Sequence, residues 1–239
     1  MVVLMVWRGT SEEGLSIPSR NTLLFKNVGQ QEALEKVVPE KSLKTKGDSV
    51  KEMNHILVCV VGMPGAGKST VAQVFEQHGY TRIRFGDVTD DEIRRRGWPV
   101  NEVHEKKIRE RLRQEGGMDA YAKLNETKIR AGLASGNVVV DDLMSYEELV
   151  YLREAFPFLV LVGVYASPAT RQRRLSLRTV RPLSPDECRS RDHAQLTALS
   201  SGGPIALADV MTINERGMKE LEKEVGQIVK KLNPLRSSR

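Results

Sequence analysis

ILVCVVGMPGAGKST, residues 56–70, is the stretch that decides the fold of this chain. It begins with six consecutive apolar residues, 56–61, a pattern typical of a strand that is buried on both faces. Residues 62–69 then match the pattern G-x-x-x-x-G-K-S/T. Apolar residues recur at helical spacing from there to Gly79, so we predict that a helix directly follows the loop.

The residue types in this loop are those that the binding of an anion requires. Three glycines leave the main chain open, so successive N–H groups can turn inward as an anion nest. The N-terminus of the following helix adds partial positive charge. Lys68 supplies a point charge for the β and γ phosphates, and the Ser69 hydroxyl can bind Mg²⁺. We predict that ATP and Mg²⁺ bind this loop, called the P-loop below, through Gly62, Pro64, Gly65, Ala66, Gly67, Lys68, Ser69 and Thr70. The alternative, a glycine-rich turn with a solvated lysine, is disfavoured because strand, spacing and helix agree.

The composition is that of one globular domain. The chain has 239 residues, of which 40% are hydrophobic, and a formal net charge of +6. A basic balance favours phosphorylated ligands, nucleic acid or an anionic surface as partners. Cys59 and Cys188 are the only cysteines, and they are expected to be reduced thiols rather than ligands of a metal.

No stretch of the sequence is apolar enough to span a bilayer. The opening MVVLMVW is short and has no basic residues before it, which makes it a poor signal peptide. We therefore expect a cytoplasmic protein without a membrane partner.

The first 52 residues differ from the rest of the chain. Turn formers and charged residues without a sustained period predict that residues 1–52 are a weakly ordered N-terminal extension. The other explanation is a mis-assigned start, with Met53 as the true first residue. Residues 53–239 are predicted to form the folded domain.

From Met53 onward, strand and helix patterns alternate. Apolar runs predict strands at 56–61, 138–140, 158–165 and 210–213, and the alternation of residues 80–85 predicts another. Helix-start signals lie between them at Asn101, Ser145 with Glu148, Ser167 with Pro168, and Ser184 with Glu187. Five buried strands that alternate with helices predict an α/β fold with a parallel sheet covered on both faces. Ligands of such sheets bind at the carboxyl ends of the strands.

Two strands are predicted to end in carboxylates at that edge. Asp141 closes the third strand and would hold Mg²⁺, directly or through water, although it could also simply begin a loop. Asp87 follows the second strand and would face an acceptor, where it could orient or deprotonate an attacking hydroxyl. An N-cap of the helix through residues 91–96 is the equally weighted alternative for Asp87.

Arginines cluster on two predicted helices. Arg171, Arg174 and Arg178 share one face by their spacing after the fourth strand, and Arg191 lies beyond them. Such a row is typical of a closing lid that clamps transferring phosphates, although a solvated basic face has the same pattern. On the charged helix before Gly116, Arg113 is the candidate for binding an acceptor.

These motifs together resemble nucleoside monophosphate kinases. The resemblance rests on the P-loop GMPGAGKST, the strand-end pair Gly86-Asp87, the VVVD strand and the arginine-rich helix. The chain is especially similar to a mostly archaeal group described as adenylate-kinase-related or dephospho-CoA-kinase-like, from Met53 to about Leu232. The resemblance implies a three-layer P-loop kinase fold: a five-stranded parallel sheet with helices on both faces, and a small mobile lid. It also implies ATP with Mg²⁺ and a small-molecule acceptor.

The chain departs from this resemblance where the acceptor binds. Nucleoside monophosphate kinases carry an arginine three residues after the aspartate of the strand-end pair, and this chain has Asp90 there. They carry a second arginine in a D-G-x-R or D-G-x-x-R stretch, and this chain reads Asp-Asp-Leu-Met at 141–144. A bidentate arginine is not replaced by Asp or Met. The arginines at 94–96 or Arg113 could substitute, or the acceptor is a hydroxyl with Asp87 as its base.

The sequence therefore predicts an ATP- and Mg²⁺-dependent phosphotransferase with a small acceptor. Phosphorylation of a hydroxyl, as in dephospho-CoA kinase, and a non-catalytic ATP-binding regulatory protein are the alternatives. Nucleic-acid binding ranks last, because the basic residues lack interleaved aromatics for base stacking.

Overall fold

Five parallel strands form the centre of the molecule. The computed structural model describes residues 55–179 and 182–232. The strands are β1 Leu57–Val61, β2 Thr81–Arg84, β3 Val138–Asp141, β4 Leu159–Tyr165 and β5 Val210–Ile213. They pair in the order β2-β3-β1-β4-β5, and every pairing is parallel. The predicted α/β class and five-stranded parallel sheet are confirmed.

β1 is the central strand and fixes the register of its neighbours. Val60 lies beside Asp141 of β3, and Val61 lies beside Gly163 of β4. Because all strands run the same way, their carboxyl ends share one edge of the sheet. The P-loop that follows β1 and the carboxylates that follow β3 are therefore neighbours at this edge.

Helices cover both faces of the sheet. Among the described residues they are α1 Lys68–Gln77, α2 Asp87–Arg95, α3 Glu102–Gly116, α4 Ala120–Ser135, α5 Tyr146–Ala155, α6 Pro168–Ser176, α7 Pro185–Thr197, α8 Gly202–Ala206 and α9 Met218–Leu232. α1 and α9 pack on one face, and α4 and α5 pack on the other. This gives the predicted three layers, with α6 and α7 packed together where the lid was expected.

Successive side chains of β1 point to opposite faces of the sheet, which explains why an apolar core lies on each face. Val58 and Val60 point towards α1 and α9, whereas Leu57, Cys59 and Val61 point towards α4 and α5. All five side chains are buried, as the uninterrupted apolar run predicts. Burial raises the pKa of the Cys59 thiol, so this side chain packs as a small apolar group.

Local capping signals set several helix starts. The side chain of Ser145 accepts from the amide of Glu148, and Glu148 bonds back to the amide of Ser145, which completes a capping box. Ser184 and Glu187 form the second capping box in the same way. Both boxes are confirmed as predicted.

The arginine-rich helix is shorter than its sequence pattern. The spacing predicts Arg178 on the same helix as Arg171, but α6 ends at Ser176. The amide of Leu183 donates to the carbonyl of Leu175, so the chain turns back over the last turn of α6. Arg178 therefore lies beyond the helix, and the prediction that it extends the arginine row of α6 is wrong.

Two further elements differ from expectation. α2 begins at Asp87, so its first turn lies earlier than the predicted 91–96 segment. The short helix α8 has no counterpart in the predicted pattern.

In the described parts of the chain, every helix is too short or too polar to cross a membrane. The predicted extension of residues 1–52 lies outside the described residues. The domain boundary at Met53 and the cytoplasmic location stay predictions.

Candidate nucleotide site and acceptor cleft

The P-loop joins β1 to α1 through backbone conformations that favour glycine. Gly67, the N-cap of α1, has φ 105° and ψ 26°. A Cβ at this position would overlap the side-chain amide of Asn214. At Gly65, with φ 78°, a Cβ would lie 2.9 Å from the carbonyl oxygen of Arg171. Only glycine combines these dihedral angles with such close packing, so the loop can present its amides at the N-terminus of α1.

Lys68 lies over this loop and reaches the end of β3. Its ammonium nitrogen donates to the carbonyl oxygen of Gly62 at 2.8 Å and lies 3.4 Å from that of Met63. The same nitrogen is 3.3 Å from the carboxylate of Asp142. The lysine side chain is 11% exposed, so the charge is held close to the loop where a nest of amides would receive a phosphate.

Ser69 and Asp141 meet as the sequence predicts. The Ser69 hydroxyl lies 3.2 Å from Oδ1 of Asp141, and Arg82 donates to Oδ2 at 2.5 Å. Hydroxyl and carboxylate oxygens are the ligands that Mg²⁺ prefers. The described residues contain no cluster of three carboxylate, histidine or cysteine side chains that could hold a metal. The Ser69 hydroxyl and the Asp141 carboxylate are oxygen donors of the kind that such an ion takes.

Arg174 contacts the P-loop through Asn214. Arg174 donates to the amide oxygen of Asn214 at 3.1 Å, and Asn214 donates to the carbonyl oxygen of Ala66 at 2.8 Å. The Nη1 atom of Arg174 is buried and has no hydrogen-bond partner among the described residues. Sequence reasoning missed Asn214. Its position directly after β5, at the carboxyl edge of the sheet, is the signal that could have found it.

The guanidinium of Arg171 donates its described hydrogen bonds to other groups of the protein. It is 5% exposed and makes two parallel bonds of 2.7 Å each to the carboxylate of Asp192 on α7. It also donates to the carbonyl oxygen of Pro64 at 3.1 Å. Arg171 therefore ties both α6 and α7 to the P-loop, and its predicted role as a phosphate clamp stays a prediction.

A cleft of about 1120 Å³ opens beside Lys68. α2 and α3 form one wall, α7 forms the other, and the residues after β3 form part of the lining. Among the described lining residues, seven are carboxylates and five are basic. The acid-rich lining contrasts with the net charge of +6 of the whole chain. The two positions where the resembled kinases carry arginines, Asp90 and Met144, both lie in this lining.

Arg113 lies in the lining of the cleft, and its predicted role in binding an acceptor stays a prediction. Its guanidinium lies 4.9 Å from the ring centroid of Tyr121, and its Nε is buried without a partner among the described residues. The hydroxyls of Tyr121 and Thr89 are hydrogen-bonded at 2.6 Å, which fixes the ring. Burial raises the pKa of Tyr121, so the ring is a neutral platform for the guanidinium.

Glu148 is a buried carboxylate at the base of the same cleft. Its Oε2 accepts from the amides of Met144 at 2.8 Å and Ser145 at 3.1 Å. Burial raises its pKa to about 7, although these two bonds and nearby Arg113 act in the opposite direction. Sequence reasoning assigned Glu148 only a capping role, because burial at the cleft depends on the tertiary fold.

The remaining residues predicted for the site are Asp87, Arg178 and Arg191. Asp87 is the first residue of α2, pairs with Arg84 at 3.0 Å and lies outside the described lining of the cleft. Arg191 of α7 lines the cleft. Partial burial and the charge of Arg191 lower the pKa of Arg178. The structure thus brings Arg113 and Arg191 to the cleft but not Asp87.

The site consists of a glycine-rich loop between a central parallel strand and a helix, a lysine over that loop, and a serine beside a strand-end aspartate. This combination defines a P-loop protein of the nucleoside-triphosphate-binding type. A family model described as an AAA domain matches residues 58–192. A UPF0200 protein of Thermococcus kodakarensis is 37% identical over 179 residues, which cover 73% of this chain and 96% of the relative. A UPF0200 protein of Methanopyrus kandleri is 38% identical over 167 residues, covering 67% of this chain and 82% of the relative. The chain carries this AAA domain and belongs to the UPF0200 proteins.

Solved structures that are similar to the chain include a gluconokinase from Sinorhizobium meliloti. It has a TM-score of 0.43 and 18% identity, and the match covers 78% of this chain and 96% of the gluconokinase. A Thermus thermophilus protein, TT1252, has a TM-score of 0.47 and 18% identity, with coverage of 74% and 98%.

Proposed function

We propose that the protein is an ATP- and Mg²⁺-dependent phosphotransferase, a small-molecule kinase that moves the γ-phosphoryl group of ATP to an acceptor in the cleft. The observation that supports this most strongly is the position of Lys68. Its ammonium group lies over the P-loop and also contacts Asp142, which lines the cleft. The lysine proposed to bind phosphate therefore adjoins the cleft proposed to hold the acceptor, which is what transfer between two bound molecules requires.

The proposed roles follow from positions in the site. Lys68 and the P-loop amides stabilise the charge that develops on the transferring group, while Ser69 and Asp141 would hold Mg²⁺. Mg²⁺, when bound with the nucleotide, supplies charge neutralisation of the phosphates. Arg113 would bind the acceptor. The arginines proposed to act on the phosphates are Arg171, Arg174, Arg178 and Arg191.

One observation keeps a second function open. Asp90 and Met144 lie in the cleft lining in place of the two arginines of the resembled kinases. A chain that binds ATP without a productive acceptor site would be a nucleotide-dependent regulatory protein. Phosphorylation of a hydroxyl, as in dephospho-CoA kinase, accounts for the same substitutions without a loss of catalysis.

Two measurements on the full chain test the proposal. Calorimetry should detect binding of Mg²⁺-ATP, and a coupled assay should detect release of ADP that an acceptor stimulates, in a panel of nucleoside monophosphates and dephospho-CoA. Failure to bind Mg²⁺-ATP would rule out both functions. Binding without stimulated release of ADP across the panel would favour the regulatory protein.

A further inference from the structure

Asp142 occupies a position that the proposed roles do not use. It directly follows the last residue of β3 and has φ 79°, in the left-handed region. A residue other than glycine is uncommon there, and Asp is among the few that tolerate it, at a cost of about 1 kcal/mol or more. Such backbone conformations cluster at functional sites, where the surrounding structure holds them in place.

The carboxylate of Asp142 connects the two halves of the site. Its Oδ1 is buried and lies 3.3 Å from the ammonium nitrogen of Lys68, but it accepts no hydrogen bond from any described residue. The side chain as a whole is 35% exposed and lines the cleft. Asp142 is therefore the carboxylate that borders both the phosphate-binding lysine and the space for an acceptor.

The charges around it disfavour a phosphate as the acceptor group. A nucleoside monophosphate attacks with an oxygen that is already ionised, and it is bound through arginines that neutralise its charge. Glu148 has a pKa of about 7, and the rest of the described lining carries six carboxylates and five basic side chains, so the cleft offers such a dianion no excess of positive charge. Asp90 and Asp142 line the cleft where the resembled kinases carry an arginine and a glycine. Carboxylates repel a phosphate dianion. A neutral hydroxyl is not repelled, but it requires a group that takes its proton when it attacks.

We propose that Asp142 is a catalytic residue that takes the proton of a hydroxyl acceptor, so that the substrate class of the cleft is an alcohol. This inference rests on the proposed phosphotransferase function. The acceptor oxygen forms a bond to the γ-phosphorus while the bond from that phosphorus to the β–γ bridging oxygen breaks. ADP leaves with the bridging oxygen, and the proton of the hydroxyl moves to the carboxylate of Asp142. Lys68 then remains with the transferring phosphoryl group.

Asp87 is the competing candidate for this proton. Its side chain is 44% exposed, pairs with Arg84 at 3.0 Å and is not in the described lining of the cleft. Among the described ion pairs, Lys68 pairs with Asp142, whereas Asp87 pairs with Arg84. A comparison of Asp142→Asn with Asp87→Asn separates them.

Two substitutions keep the test interpretable if one variant folds poorly. Asp142→Asn retains a residue that tolerates the left-handed conformation, and Asp142→Gly relieves the strain while it removes the carboxylate. Asp91→Asn, on the exposed surface of α2, is the control. For the wild type and each variant, calorimetry gives the Kd of Mg²⁺-ATP. ADP release is measured with water alone and with matched probes: adenosine against AMP, cytidine against CMP, and dephospho-CoA.

We expect the wild type to use hydroxyl probes in preference to the matched monophosphates. Both Asp142 variants should lower transfer to hydroxyls and hydrolysis by about 10² or more, because a positioned base contributes about 10²–10⁴. Their Kd for Mg²⁺-ATP should stay within about threefold or tighten, because the carboxylate competes for Lys68.

Three results for transfer overturn the inference. They are a preference of the wild type for monophosphates, unchanged turnover in the Asp142 variants, and a larger loss of turnover in Asp87→Asn. A loss of Mg²⁺-ATP affinity in parallel with turnover also overturns it, as does a wild type that binds Mg²⁺-ATP and transfers to no hydroxyl. Absence of Mg²⁺-ATP binding by the wild type instead refutes the proposed function itself.

Discussion

Arg171 and Asp192 face each other across the junction of α6 and α7 with two parallel N–H···O bonds of 2.7 Å each. The arginine is 5% exposed, and it also binds the carbonyl oxygen of Pro64 in the P-loop. A single side chain therefore joins the two helices above the sheet edge to the loop that is proposed to hold phosphates. Bidentate charge-assisted bonds of this kind fix orientation as well as distance.

Asp192→Asn should destabilise the protein by about 3 kcal/mol, because removal of one partner leaves a buried guanidinium uncompensated. Urea unfolding measures the change. Asp186→Asn is the matched control, since Asp186 pairs with Arg189 on the exposed surface of the same helix, where a lost pair costs about 1 kcal/mol or less. Equal losses in the two variants would mean that the Arg171–Asp192 pair contributes no more than a surface pair.

Gly67→Ala should weaken binding of Mg²⁺-ATP by about tenfold or more. An alanine would need the left-handed conformation and would overlap the amide of Asn214, so the loop must shift at a cost of roughly 1–3 kcal/mol. Gly136→Ala is the control, because Gly136 is extended and a Cβ there meets no atom within 4 Å. Calorimetry compares the two Kd values. A wild-type Kd in Gly67→Ala would show that the amides of this loop do not determine nucleotide affinity.

The features that the sequence predicts well are local. The P-loop spacing, the apolar run of β1 and the two capping boxes are each determined by residues within a few positions of one another. Strand bounds accordingly agree to within about one residue at most ends, as for β5, which matches the predicted 210–213 segment. The register of the sheet then carries these local features to one edge, which is why Ser69 and Asp141 meet although 72 residues separate them.

The features that sequence reasoning missed depend on partners that are distant in the chain. Asn214 contacts Ala66 across 148 positions, and no short pattern marks that contact. The end of α6 was missed because no glycine or proline follows Ser176 closely enough to stop the helix pattern. Asp142 did carry a signal, since it stands where the resembled kinases have glycine, the residue that a positive φ favours.

Lys68→Ala should lower turnover by about 10² or more, because the ammonium group is a preorganised positive charge that lies over the P-loop. The variant should remain folded, since within residues 55–179 and 182–232 the lysine binds loop carbonyls and the Asp142 carboxylate. ADP release under saturating Mg²⁺-ATP measures the effect, with the exposed Lys219→Ala as the control. Near-normal activity in Lys68→Ala would remove this lysine from the mechanism.

Glu148 should make the stability of the wild type depend on pH in the neutral range. Its pKa in the folded protein is about 7, against an ordinary value of 4.5, because burial disfavours the ionised form. The stabilising contribution of the protonated form is therefore fully present below about pH 4.5 and is lost as the pH rises through about 7. The shift corresponds to roughly 3 kcal/mol at most.

Glu148→Gln keeps an oxygen that can accept from the amides of Met144 and Ser145 but cannot ionise. Between pH 5 and pH 8, the free energy of unfolding of the wild type should fall by about 2–3 kcal/mol more than that of Glu148→Gln. Urea unfolding at several pH values measures this difference, and the exposed Glu147→Gln is the control that should follow the wild-type curve. Parallel curves for the wild type and Glu148→Gln would show that this carboxylate is already ionised throughout the range.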